Sequence, residues 1–278
     1  MGMAGTLVGT AETVLPRLPG PAQRPIAEAI GTLAFASAMK ARSAVRANLA
    51  VVAPGRATLA REVFVSQVLQ YLEVFSIPRM DPERLVRSVH LEGWEHFVRA
   101  ERLRRGVIFA SAHFGPVALV GQIVMAKGFT LTLPIEPAQS ELMRAVNRAR
   151  SAQGMRLIPI DSPLALHHTL RDGGVLGVLA DRAVTGVGER VPFFGRDALL
   201  PSAHVALALR TGAVLLPAFA WRERGELFAT IEAPLAIEST GDRDADVREG
   251  VRRFASVLER YVRRFPEQWT VFEPVWER

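Results

Sequence analysis

From about residue 105 onward the chain alternates short, uninterrupted apolar runs with helical patterns, and this alternation constrains the fold more than any other feature. The runs GVIFASA (106–112), FTLTLPI (129–135), RLIPI (156–160), GVLGVLAD (174–181), AVLLPAFAW (213–221) and LFATIEA (227–233) are predicted as strands. Between them AQSELMRAVNRARSAQG, SPLALHHTLRDGG and PSAHVALALRTGA read as helices that stop at Gly154, Gly173 and Gly212, glycine being the residue that closes a helix in a left-handed conformation at least cost. A strand that is apolar on both faces must be covered on both faces. Helical crossovers between such strands make the sheet largely parallel. The expected fold class is α/β, a central, mostly parallel sheet flanked by helices.

Residues 1 to about 100 have a different texture. Ile30, Leu33, Ala34, Ala38, Val45, Leu49 and Val52 recur at helical spacing, as do Leu59, Val63, Val65, Val68, Leu69, Leu72 and Phe75. PGRAT and PRMDPERL interrupt them, and Asp81-Pro82-Glu83 is a helix start. A last helix is expected in DADVREGVRRFASVLERYVRRFPEQW. No repeat or linker divides the chain, so 1–278 reads as a single domain, with a helical lobe over 1–100 and an α/β core over 101–278.

Composition excludes several classes of function. The absence of cysteine removes disulfides, thiolate catalysis and thiolate metal sites. Nothing approaches the ~18 to 20 apolar residues of a spanning helix, and the opening MGMAGTLVGTAETVLPRLPG lacks the basic start and apolar core of a signal peptide. The net charge is +6, and among the basic residues only Lys40 and Lys127 are lysines. The arginines sit inside amphipathic segments rather than in runs mixed with aromatics, which points to an anionic membrane surface or a phosphorylated substrate and away from nucleic acid. Arg42, Arg46, Arg56 and Arg61 flank the apolar faces of residues 25 to 75, a pattern that suits a helix lying on a membrane interface.

Sites of open α/β sheets form at the carboxyl ends of strands, where three segments are expected to converge. SAHFG places His113 at a strand end, a good position for a base, with Phe114 and Gly115 allowing close backbone approach. ADRAVTGVGERVPFFG adds Asp181, Arg182, Glu189 and Arg190 ahead of an aromatic patch, with Arg182 suited to a phosphate. LLPSAH opens a helix, with His204 in its first turn. His90, His96, His167 and His168 lack the spacing of a metal site, and no metal ligand is assigned. Neither GxGxxG, GxxxxGK[ST] nor GxSxG is present.

Taken together, SAVRANLAVVAPG (43–55), SAHFG (111–115), IEPAQSELMRAVNRARSAQGMRLIPI (135–160), LRDGGVLGVLADRAVTGVGERVPFFG (170–195), ALALRTGAVLLPAF (206–219) and FPEQWTVFEPVW (265–276) resemble the bacterial lipid A biosynthesis acyltransferases of lauroyl and myristoyl type. They look closer still to the phosphatidylinositol mannoside acyltransferases. The resemblance implies a glycerolipid acyltransferase-like fold and an O-acyltransferase. Such an enzyme moves a fatty acyl group from acyl-CoA or an acyl carrier protein to a hydroxyl of a membrane phospholipid or glycolipid. It would work peripherally at the cytoplasmic face of the inner membrane, with no cofactor besides the donor.

The family signature is a histidine followed, after four residues, by Asp or Glu. His113 matches the histidine, but the acid's position is Ala118. The mannoside acyltransferases carry a second carboxylate on the loop that corresponds to TGVGERVPFFG, which makes Glu189 the expected partner of His113 and Asp181 its substitute. On the same resemblance Phe114, Phe193 and Phe194 are expected at the acyl entrance. Ala118 also fits a different class of protein, a catalytically impaired homologue that binds lipid or acyl thioester without turning it over. A hydrolase of acyl thioesters is a third reading.

Overall fold

A computed structural model describes residues 12–183 and 186–276. Most of the segment read as lacking a leader, residues 1–11, lies outside them. The first third is helical: α1 (Gly20–Ser37), α2 (Met39–Val52), α3 (Leu59–Ser76) and α4 (Pro82–Ser88). Asp81 caps α4 by accepting the N–H groups of Glu83 at 2.9 Å and Arg84 at 3.2 Å, with Pro82 just inside the helix, where its missing N–H costs nothing.

The core then runs β1 (Val89–Glu92), α5 (Trp94–Arg102), β2 (Val107–Ser111), α6 (Val117–Ala126), β3 (Leu131–Ile135), α7 (Glu141–Ser151), β4 (Arg156–Pro159), α8 (Pro163–Arg171) and β5 (Val175–Leu179). It continues with β6 (Glu189–Phe193), β7 (Arg196–Leu200), α9 (Ala203–Thr211), β8 (Val214–Glu223), β9 (Glu226–Ile231) and α10 (Arg243–Arg264). A seven-stranded sheet has the order β1-β9-β8-β2-β5-β3-β4, parallel at every pairing except β8 with β9. The central strand β2 is buried along its whole length, as its unbroken apolar run requires. Val251, Phe254, Leu258 and Val262 of α10 pack in the same core as Ile108, Leu176 and Leu215, together with Val45 and Leu49 of α2.

Two elements depart from expectation. Residues 89–92 form a short edge strand within the segment expected to be helical; four residues of alternating exposure are too few to register as a pattern. The segment GERVPFFG, expected to be a charged loop at the site, is instead the first arm of the β6–β7 hairpin. Phe194 and Gly195 are its two turn residues, at φ 52° and 73°. Positive φ at both positions matches the strand twist of a tight hairpin, so the FFG motif serves the turn.

Candidate active site

His113 lies two residues beyond the end of β2, and Asp181 two residues beyond the end of β5. These strands are parallel neighbours in which Ser111 is opposite Leu179, so equal steps past that pair bring the two side chains together. The imidazole Nδ1 lies 2.8 Å from Asp181 Oδ1, and the backbone N–H of His113 donates to Oδ2 at 2.9 Å. Asp181 is wholly buried, whereas the His113 side chain keeps 28% of its surface open. With Nδ1 engaged, Nε2 is the ring nitrogen left for a substrate. Burial by itself would raise the pKa of Asp181. The charge of His113, its two hydrogen bonds and that of Trp269 together outweigh burial and hold the carboxyl below its ordinary value.

The end of the chain fastens this pair. Trp269 donates its indole N–H to Asp181 Oδ2 at 2.9 Å. The N–H of Gly115 donates to the Gln268 carbonyl at 2.9 Å and that of Thr270 to the His113 carbonyl at 2.8 Å, on either side of a Phe114–Trp269 bridge. Gln268 is itself clamped to the backbone of Arg222, accepting its N–H at 2.8 Å and donating to its carbonyl at 2.7 Å. Arg222 Nε in turn donates to the buried carboxylate of Glu73 at 2.6 Å.

Other expected site residues fall elsewhere. Glu189 does not reach His113; its carboxylate pairs with Arg248 at 3.2 Å at the foot of the hairpin, on the face turned toward α10. The acid beside His113 is Asp181, expected only as a substitute. Phe114 and Phe193 are sealed in the core rather than at an entrance: Phe114 packs edge-on against Phe219 and Tyr261, and Phe193 meets Trp269 edge-on and stacks on Trp276. Phe194, at the hairpin turn, lies under the Arg263 guanidinium at 4.8 Å. Gly115 does permit a close approach, but to strand β8: a Cβ there would lie 2.0 Å from the Ala220 carbonyl oxygen. Arg182 pairs with Glu273 at 3.2 Å and leaves its buried Nε without an acceptor. His204 is buried in the core against Phe254, with neither ring nitrogen hydrogen-bonded.

Ala118 and several residues outside the expected site complete the surroundings. Ala118, where the family signature has its acid, packs on the cluster of α3 and α7 side chains that includes Tyr71, Ala145 and Ala149. Gln122 donates to the Arg150 carbonyl at 3.3 Å. Trp269 stood only within a tail segment, and nothing local marked its indole as the partner of an acid 88 residues away.

A sequence model of the family described as bacterial lipid A biosynthesis acyltransferase matches residues 4–278. A phosphatidylinositol mannoside acyltransferase of Mycolicibacterium smegmatis is 28% identical over 224 residues, 78% of this chain and 72% of the relative. One from Mycobacterium tuberculosis is 29% identical over 213 residues, 73% of this chain and 66% of the relative.

Proposed function

The chain belongs to the bacterial lipid A biosynthesis acyltransferase family, and from that premise we propose that it transfers a fatty acyl group from an acyl thioester to a hydroxyl of a membrane phospholipid or glycolipid. The observation that carries this reading is the buried Asp181 carboxylate on His113 Nδ1. Asp181 fixes the tautomer that carries hydrogen on Nδ1, leaving Nε2 as the base, and stabilises the imidazolium once it forms. Nε2 removes the proton of the acceptor hydroxyl as its oxygen attacks the thioester carbonyl. The tetrahedral intermediate then expels the thiolate, which takes up the proton from Nε2, leaving an ester and a free thiol. Charge and atoms balance without a further cofactor. Because Asp181 fills the role of the missing acid, Ala118 does not argue for a chain that only binds.

The donor is acyl-CoA or an acyl carrier protein, and the names of the relatives favour a mannosylated inositide as acceptor. No helix among the described residues is long and apolar enough to cross a membrane. Attachment in this reading is peripheral, on the cytoplasmic face of the membrane. Supporting it, Ile30, Leu33 and Met39 project outward from α1 and the start of α2, beside Arg42 and Arg46, whose guanidinium carbons lie 5.5 Å from the Phe35 ring centre. Exposed apolar side chains rimmed by arginine suit an anionic bilayer.

The test is acyl transfer from palmitoyl-CoA to a bacterial lipid extract, read by mass spectrometry. An acylated lipid formed by the wild type and absent with His113→Ala is the expected result. A product that persists in the variant removes His113 from the mechanism.

A further inference from the structure

The carboxylate of Glu73 is buried on α3, and among the described residues the one cation it pairs with is Arg222. Two guanidinium nitrogens converge on a single oxygen: Nε at 2.6 Å and Nη2 at 2.5 Å both meet Oε1. Such a pair is a poor means of stabilising a fold, because withdrawing two charges from water costs about what their attraction returns. Burial prevails here, raising the Glu73 pKa although the charge and hydrogen bond of Arg222 act to lower it. A well-packed apolar pair of similar volume would, as a rule, hold α3 to β8 equally well. What an apolar pair lacks is direction. The ion pair fixes the guanidinium, and with it the backbone of Arg222, at one position along α3.

That backbone is the anchor of Gln268. The Gln268 side-chain amide accepts the N–H of Arg222 at 2.8 Å and donates to the Arg222 carbonyl at 2.7 Å, the two bonds that a residue on a neighbouring strand would make. The main-chain carbonyl of Gln268 accepts the N–H of Gly115, two residues past His113, at 2.9 Å. The next residue, Trp269, donates to Asp181. Thr270 after it donates to the His113 carbonyl through both its N–H and its hydroxyl. Three successive residues therefore hold the histidine loop and its acid, and the first of them is held by Arg222. Gln70, one turn before Glu73 on α3, reaches the third by a long contact of 3.5 Å to the Thr270 hydroxyl.

Each link from Glu73 to the His113 loop is a hydrogen bond of ordinary length or a step along the chain. We propose that Glu73, Arg222 and Gln268 are positioning residues for the reaction: through them α3 sets where the Gly115 end of the His113 loop lies, and hence how the imidazole meets Asp181. The role in turnover rests on the acyl transfer proposed above, whereas the effect on the imidazole is measurable without it. A plain brace between the helical lobe and the sheet would need only packing at Glu73 and Arg222. Positioning needs the direction of the ion pair, so an apolar pair in its place separates the two roles.

The experiment combines Glu73→Leu with Arg222→Met in the full chain and compares it with the wild type in three measurements. Thermal unfolding reports the brace. The ring ¹⁵N shifts of His113, assigned by their absence from His113→Ala and taken where the ring is neutral, report which nitrogen carries hydrogen. Steady-state transfer from palmitoyl-CoA to a bacterial lipid extract reports turnover. The expected result is a thermal midpoint equal to or above that of the wild type and ¹⁵N shifts moved toward a mixture of tautomers. With them, kcat should fall about tenfold to a hundredfold while KM changes by less than about twofold. Unchanged ¹⁵N shifts overturn the proposal whatever the rate, because the pair then fixes nothing at the imidazole. A thermal midpoint that falls together with the shifts and the rate also overturns it, since packing explains all three. If the double variant does not fold, Gln268→Met, which keeps the side-chain length and deletes both bonds to Arg222, is held to the same outcomes. A wild type that transfers no acyl group sinks the catalytic reading and leaves the ¹⁵N shifts to decide the positioning.

Discussion

The indole N–H of Trp269 and the backbone N–H of His113 converge on one oxygen of Asp181, each at 2.9 Å, and leave the other oxygen to the imidazole. The tail of the chain thus holds the carboxylate that holds the His113 imidazole. Trp269→Phe keeps an aromatic ring there and deletes the donor. We expect kcat to fall about tenfold with KM changed by less than about twofold, the cost of one hydrogen bond to a charged group. The acid limb of the pH–rate profile should move to higher pH, because Trp269 is one of the bonds that lower the Asp181 pKa. An unmoved limb would make the role of Trp269 one of packing alone.

Asp181→Asn preserves shape and removes charge, and with it the tautomer that leaves Nε2 free. In a histidine–aspartate pair of this kind the loss is about 10⁴ in kcat, and a drop of about 10³ to 10⁴ is expected here. Glu189→Gln, on a residue paired with Arg248, is expected to stay within about threefold. Steady-state kinetics on the two variants decide between the acids, and the reverse order would return Glu189 to the site.

Gly115 combines φ 55° with a Cβ position 2.0 Å from the Ala220 carbonyl oxygen. Gly115→Ala strains the backbone and separates the His113 loop from β8. A loss of about 2 to 4 kcal/mol in urea unfolding is expected, with activity reduced beyond what stability explains. A variant of unchanged stability would mean that the loop shifts freely.

His204 is wholly buried without a hydrogen-bond partner, and burial pushes its pKa down to about 4. The unfolded chain takes up this proton near pH 6.5 and the folded chain only near 4, so the stability present above 6.5 is lost as pH falls through that window. Between pH 7 and 5 the loss from this residue should reach about 2 kcal/mol. His204→Leu should flatten the dependence, as followed by denaturant midpoints at both pH values. An equally steep fall in the variant would assign it to other groups.

The α1 surface offers a separate test. Leu33 is 71% exposed and Met39 72%. Changing both to Asp removes apolar area and adds charge that an anionic bilayer repels. Sedimentation with vesicles of phosphatidylglycerol and phosphatidylcholine should show at least about tenfold weaker binding, with thermal stability unchanged. Equal binding would move the membrane contact to another face.

The strands of the parallel sheet were legible in the sequence because each is a local property: an uninterrupted apolar run such as VIFAS needs no knowledge of its neighbours to demand burial on both faces. His113 was legible for the same reason, as the first titratable residue after such a run. The hairpin at 189–200 was not, since its exposed and buried positions alternate across a turn that begins with phenylalanine, a side chain that rarely adopts positive φ.

The sequence by itself determined the α/β architecture, the histidine at the end of β2 and, through motifs in order along the chain, the acyltransferase family. Tertiary structure alone decided which carboxylate lies against that histidine. Asp181 and Glu189 are both 68 or more residues from His113 along the chain, and both stand in the same charged segment. Sequence spacing therefore could not choose between them. The choice follows from strand order: β5 lies directly beside β2, with Ser111 opposite Leu179, so the residue two steps past β5 meets the residue two steps past β2, while the hairpin carries Glu189 away to Arg248.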